Sequence, residues 1–425
     1  MNAILIKGGR VLDPSQGFDQ TADVLIADGR VARMGRGIAA SAEVLDASGK
    51  VVVPGLIDIH VHLREPGQGH KETIQTGCRS AAAGGFTSVV CMPNTAPPLD
   101  CPELLRGVID RGRGADARVY PVACITVAQK GEALADLATL RRAGAVAFSD
   151  DGFPVGDEDL MERALEQSTR LGCPIAPHEE VKALTAGGHM HDGEVARSLG
   201  IRGMPAAGEA DMIERDLRLL ERAGGRLHVL HVSVARAVGL IRDAKRRGLP
   251  VTAEACPHHF VLTDEAVRAH GTLAKMSPPL RSAEDVEAVR AGLADGTLDA
   301  LATDHAPHAA DEKGAPFDRA PFGIVGLETA LGLTLTHLVA PGILSLSDAI
   351  VRWTSIPARI MGIPGGRLQV GDMADVTVID PDLEWTVDPA RFRSKSRNTP
   401  FAGWRLRGKA VATLLGGRVT HREGI

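Results

Sequence analysis

Between Leu56 and Thr303, short apolar runs alternate with amphipathic segments of helical period. The runs are Leu56–His62, Thr87–Met92, Val119–Ile125, Ala145–Ser149, Pro174–His178, Leu227–His231, Val251–Ala255 and Ala300–Thr303. Segments such as Leu99–Arg111, Ala133–Ala143, Leu160–Leu171, Asp211–Ala223 and Ala235–Arg247 fall between them. Strands separated by helices pair in parallel, because each crossover returns the chain to the same end of the sheet. About eight such units predict an α/β chain folded as a closed, TIM-type (β/α)8 barrel. A doubly wound open sheet would need a switch point, and no G-x-G-x-x-G marks one.

The two chain ends have a different texture. Ala3–Lys7, Asp23–Ala27, Arg30–Met34 and Glu43–Asp46 read as short strands, with Asp28-Gly29 as a hairpin turn. Ala374–Asp380 and the Gly-broken run Trp404–Val419 repeat that texture. Chain termini often lie close together. The expected organisation is a small β-sandwich domain from residues 1–53 plus 364–425 around a barrel of residues 54–363.

Composition removes several function classes. The formal net charge is −5 and aromatics are 3% of the chain, which disfavours nucleic acid. No apolar run reaches membrane-spanning length, and the N-terminus lacks a signal-peptide core. The six cysteines form no C-x-x-C pair. Free, mostly buried thiols in a reducing, cytoplasmic compartment are expected.

Active sites of such barrels sit at the C-terminal strand ends. The first run ends Asp58-Ile-His-Val-His-Leu-Arg-Glu65. Alternation points His60 and His62 the same way, a pair that can hold a divalent metal. Arg64 has the same parity and suits a substrate carboxylate. Alone, H-x-H is a weak signal. Five further strand ends carry His or Asp: Ser149-Asp-Asp-Gly152, Pro177-His-Glu-Glu180, His228–His231, Pro257-His-His259 and Thr303-Asp-His-Ala-Pro-His308. Their convergence on one rim predicts a binuclear constellation, with a carboxylate between two ions and imidazoles on the flanks. Spacing leaves Asp150 and Asp151 as alternatives for that carboxylate. His228 has opposite parity to His231 and is expected to face the outer helices. His258 and His259 are expected to support their loop, and His305 to support the ligands from behind. Glu179 and Glu180 are candidate acceptors for the ligand rings. His70, His189, His191, His270, His337 and His421 are expected to have no role at the site. Asp311–Arg319 has the glycine, proline and charges of a mobile loop.

These stretches carry a family resemblance. Asp58–Gly67, Cys91-Met-Pro-Asn-Thr95, Phe148-Ser-Asp-Asp-Gly152, Ala302–His308 and Ala320–Thr329 resemble the dihydroorotase family (class I type) of the amidohydrolase superfamily. The similarity runs over nearly the whole chain. It implies zinc, with one or two ions per subunit and two favoured. His60 and His62 would hold one ion, His178 and His231 the other, with Asp151 between them. Asp304 would be both a zinc contact and the catalytic base. His62, Arg64, Asn94, Ser277, His308, Phe322 and Gly323 would meet the substrate. The implied reaction is reversible cyclisation of N-carbamoyl-L-aspartate to dihydroorotate in pyrimidine synthesis. A homodimer is implied too, and in some members a complex with aspartate transcarbamoylase. Related hydantoinases and allantoinases usually place a carboxylated lysine where Asp151 stands, and no lysine lies between Arg142 and Lys182. A non-catalytic, transcarbamoylase-binding homologue would lack metal ligands, whereas this chain has the set. One departure is Ser277, where the family usually has Asn.

Overall fold

Gly55 divides the apolar run Val51–Ile57 between two sheets in the computed structural model, which describes residues 3–425. That run forms two strands. Val51–Pro54 joins a sheet made from both chain ends, and Leu56–Val61 opens the barrel. A Cβ on Gly55 would lie 2.2 Å from Thr87 Oγ1, so the chain passes this close only as glycine.

The terminal sheet has eight strands. Its order is Arg418–Arg422, Arg405–Leu415, Val376–Thr386, Val51–Pro54, Ile4–Asp13, Phe18–Ala27 and Arg30–Gly35, with Glu43–Asp46 also paired to Ile4–Asp13. Asp28 and Gly29 both have positive φ, as the tight hairpin requires. Val31 N–H donates to Asp372 O, so the edge strand meets the segment that leads into Val376–Thr386. The sheet thus curls around its own core of Ile6, Val24, Leu45, Val376 and Leu414.

The barrel closes through parallel pairing at every step. Leu56–Val61 pairs with Phe86–Cys91, and that strand with Arg118–Pro121. Single bridges then link Ala123 to Phe148, Phe148 to Ile175, and Ile175 to Leu227. Leu227–Val229 pairs with Val251–Ala255, which pairs with Ala300–Leu301. A bridge from His305 to Val61 completes the circle. Three expected strands are shorter than their apolar runs. Val119–Ile125 pairs regularly only as Arg118–Pro121, and the fourth and fifth runs are held by single bridges at Phe148 and Ile175. Pro121 and Pro174 supply no N–H to a ladder. The helices follow the amphipathic segments with shifted starts. Leu99–Arg111 forms as Pro102–Gly112 behind a first-turn proline, and Ala133–Ala143 as Leu137–Arg142 behind an Asp136 cap.

Inside the barrel, Ile57, Ile59, Val90, Val146 and Leu230 pack with Ile360 and Met361 from helix Ser355–Met361. These apolar residues fill the end away from the polar strand termini. No helix among the described residues is long and apolar enough to cross a membrane. All six cysteines are free, and five are buried. Gly55→Ala is expected to destabilise the fold by about 1–3 kcal/mol through overpacking on Thr87, read from denaturant unfolding.

Candidate active site

The strand Leu56–Val61 does not keep one parity. Ile57 and Ile59 face the barrel interior, while Val61 faces the helices. A register irregularity against Phe86–Cys91 between Asp58 and Val61 makes the switch. It turns His60 and His62 together into the barrel mouth. Asp58 braces this bend, accepting from His60 N at 3.1 Å, Thr303 N at 3.1 Å and Thr303 Oγ1 at 2.5 Å. Burial pushes the Asp58 carboxyl up to about 7. Three other site residues use left-handed backbone: Arg64 at φ 62°, His231 at φ 33° and Asp304 at φ 48°. Such conformations are costly for residues with a Cβ and concentrate at functional sites.

Asp151 lies at the centre. Its Oδ2 is 3.8 Å from His60 Nε2 and 3.5 Å from His62 Nε2. Its Oδ1 is 3.3 Å from His178 Nδ1 and 3.5 Å from His231 Nε2. Each carboxylate oxygen therefore faces one histidine pair. Asp304 Oδ1 is 3.0 Å from His62 Nε2 and 3.5 Å from His60 Nε2. Asp150 turns away and accepts from Ile125 N and Thr126. Burial pushes it up to about 6.

This arrangement fits a metal centre on its own terms. His60, His62 and Asp151 form one compact donor group, and Asp151, His178 and His231 form a second. His60 Nε2 is buried without a hydrogen-bond partner. His178 Nδ1 and His231 Nε2 face each other at 3.2 Å. Two imidazole nitrogens that close, beside a carboxylate, suit a shared cation. Imidazole and carboxylate donors match zinc and similar divalent ions.

Protein groups behind three of the four rings, His60, His62 and His178, fix their orientation, as metal-binding histidines require. His60 Nδ1 is 2.7 Å from Glu254 Oε1, and His228 Nε2 is 3.0 Å from Glu254 Oε2. Burial opposes ionisation of Glu254, but His60 and His228 outweigh it and hold the carboxyl down at about 2. His62 Nδ1 meets Asn94 Oδ1 at 2.8 Å, and His178 Nε2 meets Glu180 Oε2 at 3.2 Å. His305 lies behind the rim, accepting from Gly326 N at 3.2 Å and facing Glu72.

Several sequence-based assignments change here. His228 faces the interior with Leu230 and not the outer helices, and His231 reaches the site by leaving strand geometry. Parity alone therefore misplaced His228. Glu254 was missed; the signal was a carboxylate sharing the face of Thr252 in a short strand whose other residues, Val251, Ala253 and Ala255, are apolar. His189 is not idle: it lines the pocket and stacks on Phe322, ring centroids 6.4 Å apart. Asp311–Arg319 is tethered by the buried Lys313. Asn94 Nδ2 donates to Asp151 Oδ2 at 3.2 Å, so this side chain links two candidate ligands.

A pocket of about 610 Å³ opens above the cluster. His62, Arg64, Asn94, Asp151, His178, Ser277, Asp304, His308, Phe322 and Gly323 all line it, whereas His60 and His231 lie beneath. Arg64 Nε donates to Pro307 O, and Nη2 is 3.3 Å from His308 Nε2. Burial lowers Arg64 to about 10, still a cation. Burial and the Arg64 charge hold His308 neutral, down to about 2, so it adds no charge of its own. The backbone at Phe322 and Gly323 is largely engaged. Phe322 O meets His308 Nε2 at 2.8 Å, Gly323 N donates to Lys275 O, and Gly323 O accepts from Lys313 and Asn398.

The chain matches the Dihydro-orotase-like family over residues 49–236 and the Amidohydrolase family over residues 271–421. It is 55% identical over 423 residues to a dihydroorotase of Pelotomaculum thermopropionicum, covering 99% of each chain. It is 54% identical over 421 residues to a dihydroorotase of Syntrophotalea carbinolica, again covering 99% of each. Among solved structures, it resembles the L-hydantoinase (dihydropyrimidinase) from Arthrobacter aurescens with a TM-score of 0.89 and 29% identity, over 100% of this chain and 97% of that one. For the dihydropyrimidinase from Brevibacillus agri the TM-score is 0.87 at 25% identity, over 99% and 95%. Glu254→Gln is expected to weaken metal affinity about 10- to 100-fold without unfolding the chain, read by chelator competition. Unchanged affinity would remove Glu254 from the orienting role.

Proposed function

The chain belongs to the dihydroorotase family of amidohydrolases, and we propose that its site interconverts N-carbamoyl-L-aspartate and (S)-dihydroorotate with two zinc ions, in pyrimidine (UMP) synthesis. As such it is a hydrolase of a cyclic amide bond. The observation that carries this reading is a buried cation, Arg64, in one pocket with two carboxylates that face four histidines. His60, His62, His178, His231, Asp151 and Asp304 would hold the metal. Bound there, zinc would supply a nucleophile active near neutral pH and polarise the ring carbonyl.

The chain's own groups do the rest. Asp304 takes a proton from the attacking water and returns it to the departing ring nitrogen. Burial opposes its ionisation, but the His60 and His62 rings outweigh this and hold the carboxyl below its usual range, so it stands ionised. Arg64 orients the substrate by its carboxylate, which turns binding into positioning. Its Nε donates to Pro307 O, while neutral His308 gives its Nε2 proton to Phe322 O, so Nη1 and Nη2 both remain to take substrate oxygens. Ser277 offers a short hydroxyl on the opposite wall. Asp151, where a carboxylated lysine would suit a hydantoinase, supports dihydroorotate over hydantoin as the substrate.

Purified protein should contain zinc and hydrolyse dihydroorotate in preference to hydantoin and allantoin. Metal-free, inactive protein would sink the assignment, and a preference for hydantoin would redirect it. Asp304→Asn should lower kcat by about 10²–10⁴-fold. Arg64→Ala should raise KM for dihydroorotate with metal content retained. An unchanged KM would count against its carboxylate role.

A further inference from the structure

Two lysines beside the pocket have no part in the chemistry above. Lys275 and Lys313 are 2% and 3% exposed. Lys313 Nζ donates to Lys275 O, Pro321 O and Gly323 O at 3.2, 2.9 and 3.0 Å. That uses all three ammonium protons. Lys275 Nζ donates to Phe317 O and Ala320 O, both at 2.6 Å, and stands 4.5 Å from the Phe322 ring centroid. Carbonyl dipoles and a π face hold these ammonium groups, not carboxylates. Burial pushes them down to about 8 and about 7. Among the described residues, Asp318 is the one carboxylate whose charge favours Lys275, and none does so for Lys313.

The carbonyls they hold belong mainly to Phe317–Gly323. Asp318, Arg319, Ala320, Pro321, Phe322 and Gly323 of that segment line the pocket. Lys275 itself reaches the pocket wall, on which Arg64 also stands. We propose that Lys275 and Lys313 are positioning residues that hold this segment against the pocket and charge its wall positively, so the site favours a ligand with two negative charges over one with a single charge. The inference rests on the dihydroorotase reading. The open-chain ligand carries two carboxylates and the ring carries one. In cyclisation a carboxylate carbon bonds to the ureido nitrogen, one oxygen leaves as water, and one proton is taken up overall. Charge at the wall therefore acts on the open-chain dianion more than on the ring.

The test compares direct binding of succinate, a dianion, and orotate, a monoanion, by calorimetry. The proteins are the metal-loaded wild type, Lys275→Met and Lys313→Met, at about pH 6, where both lysines carry their charge, and at one ionic strength. Each substitution should weaken succinate roughly three- to tenfold more than orotate, the size expected for one charge lost at several ångström in partly screened surroundings. Equal weakening of both ligands would leave the lysines a purely structural role and overturn the proposal. Unfolding midpoint and metal content report whether each variant is folded. Should the Met variants fail to fold, Lys275→Gln and Lys313→Gln keep hydrogen-bond donors, lose the charge and carry the same comparison. Wild-type turnover of dihydroorotate is measured separately. Its absence would sink the function assignment, whereas the binding ratio alone judges the lysines.

Discussion

The two oxygens of Asp151 face different histidine pairs, and the barrel is built so that this is possible. The four rings come from three strand ends far apart in sequence, with Asp151 supplied by a fourth. Only a closed ring of parallel strands brings such ends to one rim. Burying this much polar chemistry is expensive unless each group is paired. Three of the four rings have partners behind them, His60 on Glu254, His62 on Asn94 and His178 on Glu180, while His231 Nδ1 is buried without one, and Glu254 serves His60 and His228 at once. Apolar packing fills the opposite end of the barrel and its junction with the helices, and a further cluster with Met190, Met276, Ile324 and Phe401 backs the loops around the pocket. The sheet from the chain ends keeps a separate core.

Much of this was legible in the residues. The strand–helix alternation gives the barrel, and the matching texture of the two ends gives their shared sheet. The rim clusters mark the strands whose ends matter. Parity failed where the backbone departs from an ideal strand. The irregularity between Asp58 and Val61 and the left-handed His231 are local distortions that no alternation pattern encodes. The Asp150 and Asp151 ambiguity had the same origin. Adjacent carboxylates at a strand end look alike until Thr126 claims one of them. Glu254, Lys275 and Lys313 escaped notice because charged residues are normally read as solvated. Their burial depends on partners supplied by distant segments.

The fold is shared with hydantoinases and dihydropyrimidinases, while sequence identity is far higher to dihydroorotases. A common barrel says little about which cyclic amide is taken. That information resides in the walls: a guanidinium tethered at Pro307 beside His308, a short hydroxyl at Ser277, and a segment pinned by buried ammonium groups. These elements are not part of the strand ladder, so they can diverge while the rim stays constant.

The left-handed backbone at His231 and Asp304 sets stability against activity. Both side chains are anchored to conformations that glycine would adopt freely. A glycine there would relax the local backbone and remove a like-charged or poorly solvated group from the rim, while abolishing the chemistry. Robustness alone would favour glycine at these two positions, and the histidine and aspartate that stand there mark where function holds the chain in a shape it would otherwise leave.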